Sequence, residues 1–379
     1  MGINAILDPK SWVAVPFHFW SLVFFVLGCM IGSFLNVCIH RLPLGMSIVT
    51  PRSHCPHCKY SIPWYLNIPL VTWLALRGRC KNCGAPISPR YFVVELLTGV
   101  AFLGCWLRFG DVHHPLPSML LALVYAIFLS GMIVATFIDF EHFIIPDEIT
   151  WGGMVVGFAA SFFVPSLQGQ PTLGLGMVHS LTGMALGAGL IYAILRLGKL
   201  LFGRQRLKWP EDAKVIFAET SLHLPGREVP YEELFYRKTD EIVARARRVE
   251  MIDRSYFNAV VRLSQTSLKI EQDEFEPAEF NPENVHHIEM VGSEIVLPRE
   301  AMGLGDVKFM GAIGAFVGWQ GVLFSLMISS VIGSAVGVTL IAMRRRQWSS
   351  RMPYGPYIAM AATIWIFAGT AIVRKLFGS

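Results

Sequence analysis

Long apolar runs separated by short polar stretches dominate the chain. Eight stand out, at residues 20–38, 91–106, 120–138, 149–164, 175–197, 307–317, 322–343 and 357–373. Most approach the roughly 20 residues that an α-helix needs to cross a bilayer. The pattern predicts an all-α polytopic membrane protein of about eight transmembrane helices, with the sixth run the shortest. The first run lacks a basic leader and a small-residue cleavage site, so it reads as a retained span. Two stretches break the pattern. Residues 39–90 are basic and cysteine-bearing, and residues 203–300 are polar. The chain thus divides into a first helix (1–38), a cytoplasmic cysteine module (39–90), helices two to five (91–202), a cytoplasmic insertion (203–300) and helices six to eight (301–379).

The insertion predicts a small α+β domain. Residues 231–249 carry Leu234, Ile242 and Val249 loosely on one helical face, while residues 260–270 and 291–297 read as strands. Such a domain could recruit a partner or guide a substrate, or serve only as a solvated spacer.

Composition agrees with a membrane solvent: 53% of residues are hydrophobic and 16% charged, against about 25% charged in soluble domains. Charge placement sets the orientation. Arg41, Arg52, Lys59, Arg77, Arg79, Lys81 and Arg90 crowd the first polar loop, which contains no carboxylate. Arg196, Lys199, Arg204, Arg206 and Lys208 follow the fifth run, and Arg344, Arg345, Arg346 and Arg351 the seventh. The positive-inside rule puts these loops in the cytoplasm and both termini outside. The net charge of +5 then reflects topology, with no call for a nucleic-acid partner.

Of seven cysteines, Cys29, Cys38 and Cys105 lie in apolar runs and read as small core residues. The others form two CxxC pairs, Cys55 with Cys58 and Cys80 with Cys83. In a reducing compartment this spacing points to a structural zinc site, with a redox dithiol pair as the competing reading. Four thiolates complete a tetrahedron, so His54 and His57 read as bystanders. Trp64, Tyr65 and Trp73, between the pairs, suit either the module's core or the headgroup level of a membrane.

Two carboxylates carry the candidate chemistry. Asp139 ends the third run, and Asp306, within Gly303-Leu-Gly305-Asp306-Val-Lys308, opens the sixth. An ionisable residue near a membrane span is a functional candidate by default. Facing one another, two aspartates would share a proton: one could activate water while the other donates to a carbonyl. Gly303 and Gly305 would let a substrate backbone approach. The competing reading of Asp306 is a helix cap. Asp147 follows Pro146 at a natural N-cap position, with a catalytic role as the competing reading; Glu141 and His142 are expected at the cytoplasmic interface, and Lys308 could anchor at headgroups or tune Asp306.

Taken together, these features resemble a known family. The stretch 28–43 (GCMIGSFLNVCIHRLP), the two CxxC pairs, the stretch 86–99 (PISPRYFVVELLTG), the Asp139 to Asp147 segment and Gly-Leu-Gly-Asp306-Val-Lys are similar, in that order, to bacterial type IV prepilin peptidases of the GxGD aspartyl type. The resemblance implies a membrane aspartyl endopeptidase of the bacterial inner membrane. Such enzymes cut the leader from type IV prepilins or type II secretion pseudopilins at the cytoplasmic face, and many then N-methylate the new terminus with S-adenosylmethionine. It implies Asp139 and Asp306 as the catalytic pair and Cys55, Cys58, Cys80 and Cys83 as zinc ligands. For S-adenosylmethionine it points to Gly78 and Arg79 ahead of the third cysteine. The departure is the insertion, which lengthens the chain between the two aspartates. A peptidase without methylation, an ion-coupled transporter and a structural scaffold are the alternatives; no internal repeat of the transporter kind is visible.

Overall fold

The computed structural model describes residues 16–111, 113–231, 234–235, 240–251, 254–272, 275–282, 287–298, 303–343 and 352–377. Arg344, Arg345, Arg346 and Arg351, expected in a cytoplasmic loop, lie outside them. The chain separates into two compact units: Met1–Tyr192 with Leu304–Ser379, and Ala193–Gly303.

The first unit is helical. Its elements are α1 (Phe17–Arg41), the short α2 (Val71–Ala75), α3 (Pro89–Phe109), α4 (Pro115–His142), α5 (Asp147–Phe163), α6 (Leu173–Phe202, which runs on into the second unit), α7 (Leu304–Ala342), α8 (Gly355–Ile364) and α9 (Thr370–Phe377). Among the described residues five helices, α1, α3, α4, α6 and α7, are long and apolar enough to cross a membrane. Lipid offers little hydrophobic drive for helices to associate, so close contact rests on small residues. The α1–α3 pair follows this rule: a Cβ on Gly28 would sit 2.7 Å from the Thr98 carbonyl oxygen, and one on Gly32 2.7 Å from Glu95 Cα. At the other end of the pair Trp106 stacks on Phe17 and Phe24. Cys29, Cys38 and Cys105 are buried, as expected of core residues.

The sixth and seventh apolar runs share α7, which is 39 residues long. At 1.5 Å per residue a continuous helix would measure about 58 Å, nearly twice the hydrocarbon core. Gly318 breaks it, with φ 67° and ψ −178°, a conformation open only to glycine. The break frees carbonyls that lipid could not satisfy. Ala315 O instead accepts from Gln168 Nε2 at 2.7 Å and from Ser180 Oγ at 2.9 Å.

The second unit corrects the expected α+β domain: its described residues hold an eight-stranded antiparallel sheet, ordered β3-β2-β1-β8-β4-β5-β6-β7. The strands are β1 (Arg204–Phe217), β2 (Ser221–Leu224), β3 (Arg227–Pro230), β4 (Glu241–Glu250), β5 (Ser255–Ser264), β6 (Leu268–Gln272), β7 (Phe275–Phe280) and β8 (Ile288–Pro298). The helix expected over 231–249 is absent from its described part, and Glu241–Glu250 is a strand. Ile242, Ala244 and Ala246 alternate into the core while Val243, Arg245 and Arg247 do not. That period of two outweighs three loosely spaced apolar positions. The strand expected over 260–270 is two strands, turning at Ser264 to Ser267 through Ser264 N donating to Ser267 O. The strand expected at 291–297 falls within β8. The first and last strands pair side by side, with Arg204 opposite Pro298 and Phe217 opposite Ile288.

Candidate active site and zinc module

The two cysteine pairs fold as copies of one knuckle. Cys55 N donates to Tyr60 O and Lys59 N to Cys55 O; Cys80 N donates to Ala85 O and Gly84 N to Cys80 O. The residue after each second cysteine is left-handed, Lys59 at φ 57° and Gly84 at φ 71°. Each knuckle closes with one β-bridge, His54 with Ser61 and Arg79 with Pro86. The four sulfurs lie within 4.8 Å of one another, with Cys55–Cys83 at 3.8 Å and Cys58–Cys80 at 4.0 Å. Zn–S bonds of about 2.3 Å in a tetrahedron require sulfur–sulfur edges of about 3.8 Å, close to the two shortest here, so the cluster could hold zinc. The sulfurs titrate unequally: against the Ala85 amide, burial and the neighbouring thiols push Cys83 up to about 11. Asn82 Nδ2 donates to Cys58 Sγ and holds that thiol down at about 6, and the amides of Cys83 and Asn82 lower Cys80. His54 Nδ1 instead meets the Arg52 carbonyl.

Gly78 is buried and left-handed at φ 65°, and a Cβ there would meet the Trp73 ring at 2.9 Å. Trp73 Nε1 donates to Ile87 O, 3.4 Å away. Packing within the module thus accounts for Gly78 and puts Trp73 in its core. Arg79 beside it is exposed.

Asp139, near the C-terminal end of α4, is only 5% exposed. Its Oδ2 accepts from the amide of Gly355, 216 positions away along the chain, at 2.9 Å. Gly355 opens α8, so the carboxylate meets the helix end where free amides and the positive dipole favour an anion. A side chain would not fit there: a Cβ on Gly355 would stand 2.7 Å from Asp139 Oδ2 and 3.2 Å from Ile145 Cδ1. Ile145 also receives the start of α7, since a Cβ on Gly305 would lie 3.5 Å from Ile145 Cβ. One buried isoleucine thus touches the residue that grips Asp139 and the residue preceding Asp306. Asp306 is half-buried in the first turn of α7, and Gly303 is exposed ahead of it. That 3.5 Å spacing is ordinary van der Waals contact, so packing alone does not demand glycine at 305.

The other polar residues hold these ends together. Asp147 is the first residue of α5 and Pro146 is the N-cap, which corrects the expected capping role. The Asp147 carboxylate instead accepts from Lys308 Nζ at 2.6 Å, tying the α4–α5 turn to the start of α7. Glu141 and His142 are exposed, and Glu141 receives Arg90 Nη1 on both oxygens, at 2.5 and 2.6 Å.

Sequence reasoning missed three residues. Gly355 sits just ahead of the eighth run, and its signal was the Tyr-Gly-Pro-Tyr turn at a helix start. Glu95 and Asn36 lie inside the two N-terminal motif stretches, with no pattern that singles them out. Glu95 Oε2 accepts from Leu70 N at 2.7 Å, and Asn36 Nδ2 donates to Tyr91 O at 3.1 Å.

Comparison with known proteins adds the following. Residues 26–109 match the model of the bacterial peptidase A24 N-terminal domain, and residues 126–207 and 287–338 match that of the type IV leader peptidase family. A prepilin leader peptidase/N-methyltransferase of Myxococcus xanthus is 42% identical over 201 residues, covering 50% of this chain and 58% of that protein. One from Aeromonas hydrophila is 27% identical over 388 residues, covering 95% of this chain and 94% of that protein. A type 4 prepilin-like proteins leader peptide-processing enzyme of Escherichia coli is 35% identical over 198 residues, covering 48% and 68%. No solved structure matches.

Proposed function

Because this chain belongs to the type IV leader peptidase family, we propose that it cleaves the leader peptide of prepilins and N-methylates the terminus so exposed. Asp139 and Asp306 are the catalytic pair in this reading. The observation that carries it is the buried Asp139 carboxylate, fixed by the Gly355 amide beside the helix start that bears Asp306.

One carboxylate takes a proton from water, whose oxygen attacks the scissile carbonyl carbon, while the protonated partner donates to the carbonyl oxygen. Collapse of the tetrahedral species breaks the C–N bond, and the departing amine takes up a proton. The Gly355 amide orients one oxygen of Asp139 and leaves the other for water. Asp147 and Lys308 hold the α7 start in register. Gly303 and Gly305, lacking side chains, let the substrate backbone approach Asp306.

S-adenosylmethionine, when bound, would supply the methyl group that the exposed amine accepts. This activity belongs to the cysteine module, with Gly78 and Arg79 as the cofactor-side positions. Zinc on Cys55, Cys58, Cys80 and Cys83 has a structural role there. The protein is multi-pass. In this reading α7 crosses twice, on either side of Gly318, giving eight crossings of the bacterial inner membrane with the carboxylates at the cytoplasmic face. Substrates are type IV prepilins or type II secretion pseudopilins.

The test is processing of a prepilin by the full chain in detergent, followed by mass spectrometry of the new terminus. Loss of the leader together with addition of one methyl is expected. Asp139→Asn and Asp306→Asn should each abolish cleavage; full cleavage by both removes the pair from the mechanism.

A further inference from the structure

Between the two knuckles, residues 64–74 form a 3-10 turn, a loop and the five-residue α2, with an apolar exterior. Trp64 is 82% exposed, Val71 60% and Leu74 57%, and Tyr65 and Ile68 are also exposed. In water so dense an apolar surface would be a liability. Its depth says what covers it. Leu70 N donates to Glu95, six residues into α3, which at 1.5 Å per residue is about 9 Å along the helix. The 21 residues of α3 span about 31 Å, close to one hydrocarbon core. Leu70 is therefore held level with the outer part of the acyl region.

The backbone of the segment is prepared for that depth. Leu66 N and Asn67 N donate to Pro63 O and Trp64 O, and Val71, Thr72, Leu74 and Leu76 also donate to carbonyls within the segment. Leu70, at φ 61°, has an amide that no turn satisfies, and this is the one Glu95 takes. These bonds lower the cost of placing non-helical backbone at membrane level. Val93, Leu97 and Val100 of α3, the helix that anchors the segment, are exposed apolar residues too. At the rim, Lys81 Nζ lies 6.0 Å from the Tyr65 ring centroid, a cation beside an aromatic as at headgroup level.

We infer that residues 64–74 are a re-entrant lobe of the zinc module, embedded at the acyl–headgroup boundary of the bilayer that α1 and α3 cross, with Trp64, Val71 and Leu74 in contact with lipid. Glu95 is its anchor. This rests on the membrane-spanning helices and not on the peptidase reading.

The full chain is reconstituted in phosphatidylcholine vesicles containing a lipid with a photoactivatable diazirine in its acyl chain, and labelling is mapped by mass spectrometry. Phe257 of the sheet, 58% exposed, is the solvent control. Labelling of 64–74 should match that of Val93 and Leu97 and exceed that of Phe257 by about tenfold. Glu95→Ala should reduce labelling of 64–74 severalfold while zinc content, measured in the same samples, stays at wild-type level. Labelling at the Phe257 level overturns the proposal. So does a segment that resists hydrogen exchange only when a prepilin is added, which would make this face a substrate groove. Vesicle labelling involves no cleavage, so an inactive protein with a labelled lobe would overturn the peptidase reading alone.

Discussion

The cysteine module and the carboxylate site solve the same problem, holding a few reactive groups at fixed separations, in opposite ways. The module draws four ligands from one short loop and repeats a single knuckle. A metal ion would lock its sulfurs, so the surrounding packing can remain thin. The carboxylate site draws on α4, α7 and α8. It rests on the Gly355 amide, the Ile145 contact and the Lys308–Asp147 pair. Local chemistry specifies the first; helix packing specifies the second. A change of side chain should therefore affect the first through metal content and the second through turnover.

The largest effect that would sharpen this contrast is at the carboxylates. Asp139→Asn or Asp306→Asn should lower prepilin cleavage by about 10³-fold, the usual scale of an acid–base group, while zinc content stays unchanged. Next comes replacement of all four cysteines by serine, or exhaustive chelation. Zinc should fall to background by elemental analysis, the module should open to proteolysis, and methyl transfer should be lost. Cleavage should survive, and its loss would show that the two regions are not independent. Gly355→Ala introduces a Cβ beside Asp139 Oδ2 and should cost about 1–3 kcal/mol at the site, read as a 10- to 100-fold drop in cleavage rate. The smallest effect is Lys59→Gly. It makes the first knuckle match the second at its left-handed residue and should stabilise the module by about 0.5–1 kcal/mol, seen as a later chelator-induced unfolding. A destabilised Lys59→Gly would mean that the two knuckles are not equivalent.

The same contrast explains what could be read from the sequence. The cysteine pairs were legible because metal chemistry fixes ligand type and spacing over a few residues. Asp139 and Asp306 were legible because charge at the end of an apolar run stands out. Gly355 was not, since its task arises only when α8 meets α4 and no local pattern marks it. The insertion misled at the helix predicted over 231–249: Glu241 to Glu250 mixes arginines with two alanines, which suits a helix, yet Ala244 and Ala246 are buried by neighbouring strands. Trp64 and Trp73 look alike in the chain, and only the fold separates the exposed one from the packed one.

One feature of the sheet bears on how such a chain could arise. Arg204 and Pro298 stand opposite one another on adjacent paired strands, so the polypeptide enters and leaves the sheet through the same doorway. The family match likewise stops at 207 and resumes at 287. A cassette with abutting ends can be spliced into the loop between two membrane helices without prising them apart. The lineage could thus gain an entire β domain while its proteolytic machinery kept its original spacing.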